Sequence, residues 1–404
     1  MVSAPPAPKH TGIVSSSSGG RRAALREVAA LFLKLGWIAF GGPAAHIALM
    51  RQEVVARRKW VTEQQFLDLL GASNLIPGPT STELAIYLGC ARAGRLGLVL
   101  AGTLFILPAM LLVLAFAWAY VRYGSLPQAA ALLYGIKPVI IAVIVQAIYG
   151  LLRTAVKTWR LGLVVVAAAA LYFVGLNPLV PLLGLALLVM VVENRSRLTL
   201  RRRFPRRFTL LVPPVPVDPG AVAPAAAGGA GLVTLFLTFL KIGATLYGSG
   251  YVLLAFLRDD FVRRLGWLTD RQLLDAVAVG QFTPGPVFTT ATFIGYLTGR
   301  WTGAIVATAG IFLPSFVFVA AVYPLVPRLR ASPWTAAFLD GANAAALGLM
   351  AAVAWQLGVT SLVDAVTLVL AVVAAVLLIR YRVNSAWLVL GGAAAGLLAK
   401  LAAP

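Results

Sequence analysis

The stretch Asn74-Leu75-Ile76-Pro77-Gly78-Pro79 recurs 207 residues later as Gln281-Phe282-Thr283-Pro284-Gly285-Pro286. A proline has no backbone N–H and restricts the residue before it, so a helix cannot continue through either copy. Pro79 and Pro286 are suited to the first position of a new helix. Each copy therefore predicts a helix, a break and a second helix.

The composition is that of an integral membrane protein. The chain has 404 residues, of which 60% are hydrophobic and 12% charged, with a mean hydropathy of +0.90. Soluble domains carry roughly 25% charged residues. Several apolar runs approach or exceed the roughly 17–25 residues that span a bilayer as a helix; they cover residues 97–120, 139–152, 161–174, 303–322 and 365–379. The sequence predicts an all-α, polytopic membrane protein in contact with membrane lipids.

The formal charge of +21 comes from arginines in short segments between apolar runs. The positive-inside rule explains such clusters, so we expect no nucleic-acid partner. Cys90 is the only cysteine, and His10 and His46 are the only histidines. These counts predict no metal and no cofactor. The chain also has no nucleotide-binding glycine loop and no catalytic-triad spacing, so we expect a protein that is not an enzyme.

Sliding one half of the chain onto the other reveals an internal repeat. At the 207-residue offset, the matches include Lys34 with Lys241, Gly41 with Gly248, Trp60 with Trp267 and Asp68 with Asp275. Further along the chain the offset is shorter by one residue, and Pro108 matches Pro314 and Gly135 matches Gly341. The repeat predicts two transporter units, at residues 27–193 and 232–404. A disordered tail, residues 1–26, precedes the first unit. A linker joins the two units at residues 194–231; it is first basic and then rich in Pro, Ala and Gly.

Each unit is expected to contain the same helices. In the first unit, a helix at 27–40 reaches the break Gly41-Gly42-Pro43, and an amphipathic helix follows at 44–60. Two short helices around Pro77-Gly78-Pro79 form a re-entrant or broken hairpin, and we leave open whether it spans the membrane. Four longer helices follow at about 96–121, 128–152, 159–175 and 178–192.

The distribution of charge predicts that the two units are inverted relative to each other. In the first unit the arginine-rich segments lie on the side of the linker, which is therefore cytoplasmic. In the second unit the bias is weaker and reversed, as an odd number of membrane crossings per unit requires. Inverted-topology repeats are typical of secondary transporters. The side of the N-terminus stays open.

In such transporters the substrate lies near the bilayer midplane, at discontinuous helices whose N-termini attract anions. The breaks and the polar residues around them are therefore the candidate substrate site. Its members are Gly41, Gly42, Asn74, Pro77, Gly78, Pro79 and Thr80 in the first unit, and Gly248, Ser249, Gly250, Gln281, Thr283, Pro284, Gly285 and Pro286 in the second.

Three lysines inside apolar segments extend this candidate site, since a membrane-embedded cation is costly and usually functional. Lys34 and Lys241 are equivalent in the repeat, and Lys137 lies within the apolar segment 132–148. Converging ammonium groups would suit a divalent tetrahedral oxyanion. The alternative is that each lysine extends to the membrane interface.

Two titratable residues near the breaks are candidates for proton coupling. Glu83 follows Pro79 on an embedded helix, where an apolar environment favours the protonated carboxyl; otherwise it interacts only with the helix dipole. His46 could titrate during transport, or it could be a packed, hydrogen-bonded residue. Asp68 and Asp275 more simply mark the interfacial start of a short helix.

Four motifs, in order, resemble those of the two-domain chromate ion transporter family. They are Phe40-Gly41-Gly42-Pro43-Ala44-Ala45-His46-Ile47-Ala48, the two Pro-Gly-Pro stretches, and Gly248-Ser249-Gly250-Tyr251-Val252-Leu253-Leu254. The resemblance covers both units. It implies a multi-pass protein of the cytoplasmic (inner) membrane that exports chromate, driven by a proton gradient or the membrane potential, and confers chromate resistance.

Other functions stay open at this point. Sulfate has the charge and shape of chromate, so the chain could transport sulfate or another oxyanion, and could import it. A membrane-embedded enzyme, for example a chromate reductase, is a third reading, against which the missing flavin, haem and metal patterns weigh. The sequence is compatible with a homodimer and does not determine the oligomeric state or the coupling ion.

Overall fold

The computed structural model describes residues 18–40, 42–124, 126–195, 229–247, 252–325, 333–381 and 383–402. Within these ranges the chain forms fourteen α-helices and no β-strand. The first unit contains α1 (Ser18–Ile38), α2 (Gly42–Arg51), α3 (Glu63–Ser73), α4 (Thr80–Tyr123), α5 (Pro127–Ala155), α6 (Trp159–Phe173) and α7 (Leu179–Glu193). The second unit contains α8 (Gly229–Thr245), α9 (Leu253–Leu257), α10 (Asp270–Phe282), α11 (Thr290–Val322), α12 (Pro333–Ser361), α13 (Ala365–Arg380) and α14 (Ser385–Ala402). The helices of the two units correspond in order, which confirms the all-α fold and the repeat.

Several helices have the length and composition of membrane spans. Four described segments qualify, at Thr80–Tyr123, Ala130–Arg153, Val287–Val322 and Pro333–Ser361. Five shorter apolar helices accompany them. Apolar side chains also face outward, as on α13, where Val369 is 60% exposed. In lipid this apolar surface is solvated rather than exposed to water, so the protein is a polytopic membrane protein.

The long helix α4 is two helices that fold back on each other. Ala93 (φ −138°, ψ 18°) and Gly94 (φ 66°, ψ −152°) are not helical. A Cβ on Gly89 would collide with the Gly97 carbonyl, and one on Gly97 with the Gly89 carbonyl. Residues on either side of the break are thus in backbone contact, as in an antiparallel hairpin. A short helix, residues 80–92, therefore precedes the longer one, in agreement with the prediction.

The two short helices around each Pro-Gly-Pro form a helical hairpin, which we interpret as re-entrant. Helix α3 has 11 residues, and at 1.5 Å per residue it is about 17 Å long. A hydrocarbon core of about 30 Å needs a longer helix. Capping boxes begin both first helices, at Thr62 with Gln65 and at Thr269 with Gln272, so the same local sequence starts the hairpin in each unit.

The equivalent helices α5 and α12 lie antiparallel. Tyr134, near the start of α5, donates a hydrogen bond to Asp364, which follows the end of α12 (2.6 Å). Lys157, just after the end of α5, pairs with Asp340 near the start of α12 (2.7 Å). A hydrogen bond from the Thr367 backbone lowers the pKa of Asp364. Because equivalent helices run in opposite directions, the two units are inverted repeats.

The two units also exchange helices. Helix α12 of the second unit packs against α6 and α7 of the first, and α5 packs against α13 and α14. Glycines allow close packing at these contacts: a Cβ on Gly135 would collide with Gly392, and one on its counterpart Gly341 would lie 2.9 Å from Ala186. The sequence boundaries between the units therefore do not separate two independently packed bodies.

The two first helices of the units begin before the predicted unit boundaries. Helix α1 begins at Ser18 and α8 at Gly229, so residues 18–26 and 229–231, assigned above to the tail and linker, are helical. Alanine and arginine are strong helix formers, and Ala24 and Val28 already pack in the core. Residues 1–17 and 196–228 lie outside the described residues.

Candidate functional site

The tips of the two hairpins cross into the opposite unit. The Gly78 N–H donates a hydrogen bond to the Leu246 carbonyl at the end of α8 (2.8 Å). The Gly285 N–H donates the equivalent bond to the Ala39 carbonyl at the end of α1 (2.8 Å). Each Pro-Gly-Pro turn is thus fastened to the first helix of the other unit, and the turns occupy equivalent places in the inverted repeat.

Only glycine fits at either tip. Gly78 has φ +140° and Gly285 has φ +90°, conformations that other residues rarely adopt. A Cβ on Gly78 would collide with the Glu83 carboxyl and lie 2.7 Å from the Ser315 hydroxyl. A Cβ on Gly285 would lie 2.8 Å from Ala109. The sequence predicted these residues as a break, and the structure adds the close contacts that require glycine.

A new helical segment starts directly after each turn. Helix α4 begins at Thr80 after Pro79, and a 3₁₀ turn, Val287–Thr289, follows Pro286 and leads into α11. Within the described residues, neither start has a side-chain cap. Uncapped starts leave backbone N–H groups available to an anion.

These starts line one cavity of about 1160 Å³. Its buried end is formed by the starts of α2 and α4 and by the 3₁₀ turn, and its other walls come from α5, α12 and α13. Residues that contribute are Pro43, Ala44, His46, Asn74, Pro79, Thr80, Ser81, Gln146, Tyr149, Arg153, Lys157, Pro286, Val287, Phe288, Asp340, Asn343 and Arg380. The cavity therefore combines elements of both units, as expected for an inverted-repeat transporter.

His46 connects the cavity to the opposite turn. Its Nε2 lies 3.0 Å from the Ala39 carbonyl, the same oxygen that accepts from Gly285, and its Nδ1 lies 3.2 Å from the Ser81 hydroxyl. A carbonyl only accepts, so Nε2 carries the proton, and in the neutral ring Nδ1 accepts from Ser81. His46 is 1% exposed and packs edge-on against Phe105. The structure places this histidine as a hydrogen-bonded bridge at the site.

Lys34 and Lys241 each pair with a carboxylate of their own unit. Lys34 lies 3.0 Å from Glu53, and Lys241 lies 2.6 Å from Asp260. Both carboxylates sit on short π-helical segments that continue α2 and α9, Gln52–Arg57 and Arg258–Arg264. Neither lysine lines the cavity. The two lysines therefore do not contribute to the cavity lining, and their binding of an oxyanion stays a prediction.

Lys137 forms a buried ion pair between the units. Its ammonium lies 3.2 Å from Asp275 on α10, and the Tyr120 hydroxyl donates to the same carboxylate (2.9 Å). The side chain of Asp275 is 1% exposed and that of Lys137 is 13% exposed. Asp275 is thus a buried ion-pair partner rather than the interfacial marker expected from the sequence. Its counterpart Asp68 accepts a hydrogen bond from Gln64 (2.9 Å).

Glu83 is fully buried against the first turn. The Ser315 hydroxyl donates a hydrogen bond to its Oε1 at 3.4 Å. Among the described residues, no cation pairs with this carboxyl, and its Oε2 has no hydrogen-bond partner. Burial without a cation favours the neutral carboxyl over the carboxylate, which is the property expected of a proton-binding residue.

The remaining predicted site residues lie around the cavity or outside the described part. Asn74, Pro79, Thr80 and Pro286 line the cavity, and Gly42 starts α2 next to it. Pro77, Pro284 and Thr283 lie next to the turn glycines without lining the cavity, and Thr283 donates to the Val279 carbonyl (3.1 Å). Gln281 has a buried amide nitrogen for which no described residue is a partner. Gly41, Gly248, Ser249 and Gly250 lie outside the described residues.

Sequence reasoning missed the polar residues that α5, α12 and α13 contribute. None of Gln146, Arg153, Lys157, Asp340 and Arg380 belongs to a motif or to a broken helix. Asn343 could have been found, because the repeat places it opposite Lys137. The cations of the cavity thus lie at helix ends rather than on the broken helices.

Inverted repeats with re-entrant hairpins, which meet at a polar cavity, define a membrane transporter. The chain belongs to the chromate transporter family, whose model matches residues 26–190 and 233–397. No solved structure matches the chain.

Curated relatives match over most of the chain. The chromate transport protein of Cupriavidus metallidurans is 34% identical over 96% of each chain. A probable chromate transport protein of Synechococcus elongatus is 35% identical over 87% of this chain and 88% of its own length. A chromate transport protein of Pseudomonas aeruginosa is 33% identical over 81% of this chain and 79% of its own length.

Proposed function

We propose that the protein is a secondary active transporter that exports chromate across the cytoplasmic membrane and so confers chromate resistance. The observation that carries the proposal is the convergence of uncapped helix starts at Thr80 and Val287 on one cavity with a surplus of cations. Membership of the family, together with the printed names of the relatives above, supports chromate as the substrate.

The chemistry of the cavity suits a tetrahedral dianion. Backbone N–H groups at the helix starts can donate to its oxygens, as can the side chains of Ser81, Asn74 and Asn343, which line the cavity. Ser81 donates to His46 in the present arrangement, so an oxyanion that takes the Ser81 hydroxyl releases His46 Nδ1. Anion binding and the hydrogen bond to His46 would then compete for the single proton of the Ser81 hydroxyl.

Proton coupling is proposed at Glu83 and His46. Glu83 touches Gly78 of the first turn, and His46 shares the Ala39 carbonyl with Gly285 of the second. A protonation change at either residue thus acts on a turn that lines the transport path. The counterpart of His46 is Leu253, so this part of the mechanism is confined to one unit of the repeat.

The open end of the cavity faces the side where an exporter binds its substrate and where an importer releases it, so the direction of transport is a proposal that the flux measurement tests. Arg153 and Lys157 lie in a segment that the positive-inside rule places in the cytoplasm, and both line the cavity. A transporter that removes chromate from the cell must bind it from this side. Sulfate transport, in either direction, would use the same donors and is the alternative function. A reductase would require a redox cofactor that the sequence does not predict.

The test is the flux of radiolabelled chromate. Cells that express the protein are expected to accumulate several-fold less chromate than cells with the empty vector, because chromate is moved outward. In proteoliposomes, chromate flux should rise with an imposed pH gradient if protons are the coupling ion, or with an imposed membrane potential alone if they are not. Excess sulfate should compete for the same site.

The outcomes separate the alternatives. Greater accumulation in expressing cells would show an importer, and labelled sulfate moving faster than chromate would show a sulfate transporter. Equal chromate accumulation with and without the protein, combined with no flux in proteoliposomes, would contradict the proposal. Formation of Cr(III) by the purified protein would favour the enzyme.

A further inference from the structure

The lining residues are buried at one end of the cavity and exposed at the other. His46 and Ser81 are 1% and 3% exposed, and Phe288 is 1% exposed. At the other end, Arg153, Lys157 and Arg380 are exposed, and they lie at or just beyond the ends of α5 and α13. The exposed end is therefore the mouth of the cavity, and basic residues surround it.

Only part of this charge is neutralised. The described residues that line the cavity include four charged side chains: Arg153, Lys157, Asp340 and Arg380. Asp340 pairs with Lys157 at 2.7 Å, so these two charges largely cancel. Arg153 and Arg380 have no carboxylate partner in the part of the chain that the structure describes. The mouth thus carries two uncompensated positive charges.

Arg153 is held in place without being neutralised. Its guanidinium donates to the Tyr149 hydroxyl at 2.6 Å and lies 4.8 Å from the centre of the Tyr149 ring. A neutral partner fixes the orientation of an arginine but leaves its charge available. Tyr149 is one helical turn before Arg153 and also lines the cavity, so the cation is directed along the cavity wall.

We propose that Arg153 and Arg380 form an entry site that captures divalent oxyanions and passes them to the helix starts at the buried end. A cation attracts a dianion twice as strongly as a monoanion at the same distance. Two cations at a mouth with low-dielectric walls also raise the local concentration of the dianion. The entry site thus selects for charge before the buried donors select for shape. This inference rests on the proposed oxyanion transport.

The test compares initial rates of chromate flux as a function of chromate concentration. Arg380→Gln and Arg153→Gln are each expected to raise the KM for chromate about three- to ten-fold and to leave the maximal rate within twofold of wild type. Each variant should also lose part of the salt dependence of the KM, because salt screens the field of the mouth. Arg380→Lys should stay close to wild type. Asp340→Asn should lower the KM, because it frees the charge of Lys157.

Arg160→Gln is the matched control. Arg160 is exposed and lies three residues after Lys157, but it does not line the cavity. Its removal takes one positive charge from the same end of the protein, so an unchanged KM would show that the effect belongs to the mouth. Arg153→Gln, on a different helix, keeps the test decisive if Arg380→Gln does not insert.

The inference is overturned if both glutamine variants retain the KM and the salt dependence of wild type, or if Arg160→Gln raises the KM equally. A lower maximal rate with an unchanged KM would also overturn it, because entry would then not be the affected step. The absence of flux in the wild-type protein would instead count against the proposed function, so the two failures are distinguishable.

Discussion

Replacing Gly78 or Gly285 with valine is expected to reduce transport at least tenfold while the protein still inserts into the membrane. The backbone at both positions has a positive φ (+140° and +90°), where a β-branched residue costs about 1–3 kcal/mol of strain. The new side chain would also displace Glu83 and Ser315 at the first turn, or Ala109 at the second. The turn cannot keep its hydrogen bond to the other unit, so the helix starts in the cavity move.

A second glycine provides the control for this experiment. Gly71 lies in α3, on the same hairpin as Gly78, and a Cβ there would meet no atom within 4 Å. Gly71→Val should therefore keep wild-type flux. The measurement is chromate flux at matched amounts of membrane-inserted protein. Wild-type flux in Gly78→Val or Gly285→Val would show that the turns do not position the site.

Removal of Lys137 is expected to lower the stability of the protein more than removal of Lys34 does. Lys137→Met leaves the Asp275 carboxylate buried without its cation, at a cost of about 3–5 kcal/mol. Lys137→Met combined with Asp275→Asn removes both charges, and buried ion pairs replaced in this way often lose little stability. The double variant is therefore expected to recover more than half of the loss, because the Tyr120 hydroxyl can still donate to the amide oxygen of the introduced asparagine.

Thermal unfolding of the detergent-purified protein measures this coupling. Lys34→Met is the control, because its partner Glu53 still pairs with Arg57 at 3.1 Å and Arg58 at 3.4 Å when Lys34 is removed. Wild-type stability in Lys137→Met would contradict the buried pair. A double variant as unstable as Lys137→Met alone would show that the two residues are not coupled.

Much of the architecture could be predicted because the two units share so many residues. The offset between the Pro-Gly-Pro stretches identified equivalent residues, and the reversed arginine bias predicted the inversion that the Tyr134–Asp364 and Lys157–Asp340 contacts confirm. The break at Ala93 and Gly94 could also be predicted, because the predicted short and long helices meet there.

The partners of the buried charges could not be predicted from the same pattern. Lys137 has Asn343 as its counterpart, so the repeat gives no hint that Asp275 of the other unit is its partner. Lys34 and Lys241 do have equivalent carboxylates, Glu53 and Asp260, but those carboxylates reach the lysines from π-helical segments. A π-helical turn changes the direction in which the following side chains leave the helix. The hydrophobic periodicity of the sequence does not predict where such a turn occurs.

The cavity itself depends on how the units interlock. Arg153 and Arg380 are far apart in sequence, in segments that are not equivalent in the repeat. They share a mouth because α5 packs against α13 of the other unit. This exchange of helices follows from tight glycine contacts such as Gly135 against Gly392, whose partners are known only once the fold is known.

The central claim is that the transported oxyanion binds at the helix starts inside the cavity, and Thr80 tests it most directly. Thr80 is the first residue of α4 and lines the cavity. Thr80→Asp places a negative charge where the anion should lie, while an acidic residue in the first turn suits the helix dipole and preserves the fold. Thr80→Asn is the neutral control of the same size.

The measurement is equilibrium binding of radiolabelled chromate to the purified protein, with thermal unfolding recorded alongside. We predict that Thr80→Asp weakens binding at least tenfold with unchanged or raised thermal stability, and that Thr80→Asn stays within a few-fold of wild type. Binding of chromate to Thr80→Asp with wild-type affinity would contradict the account.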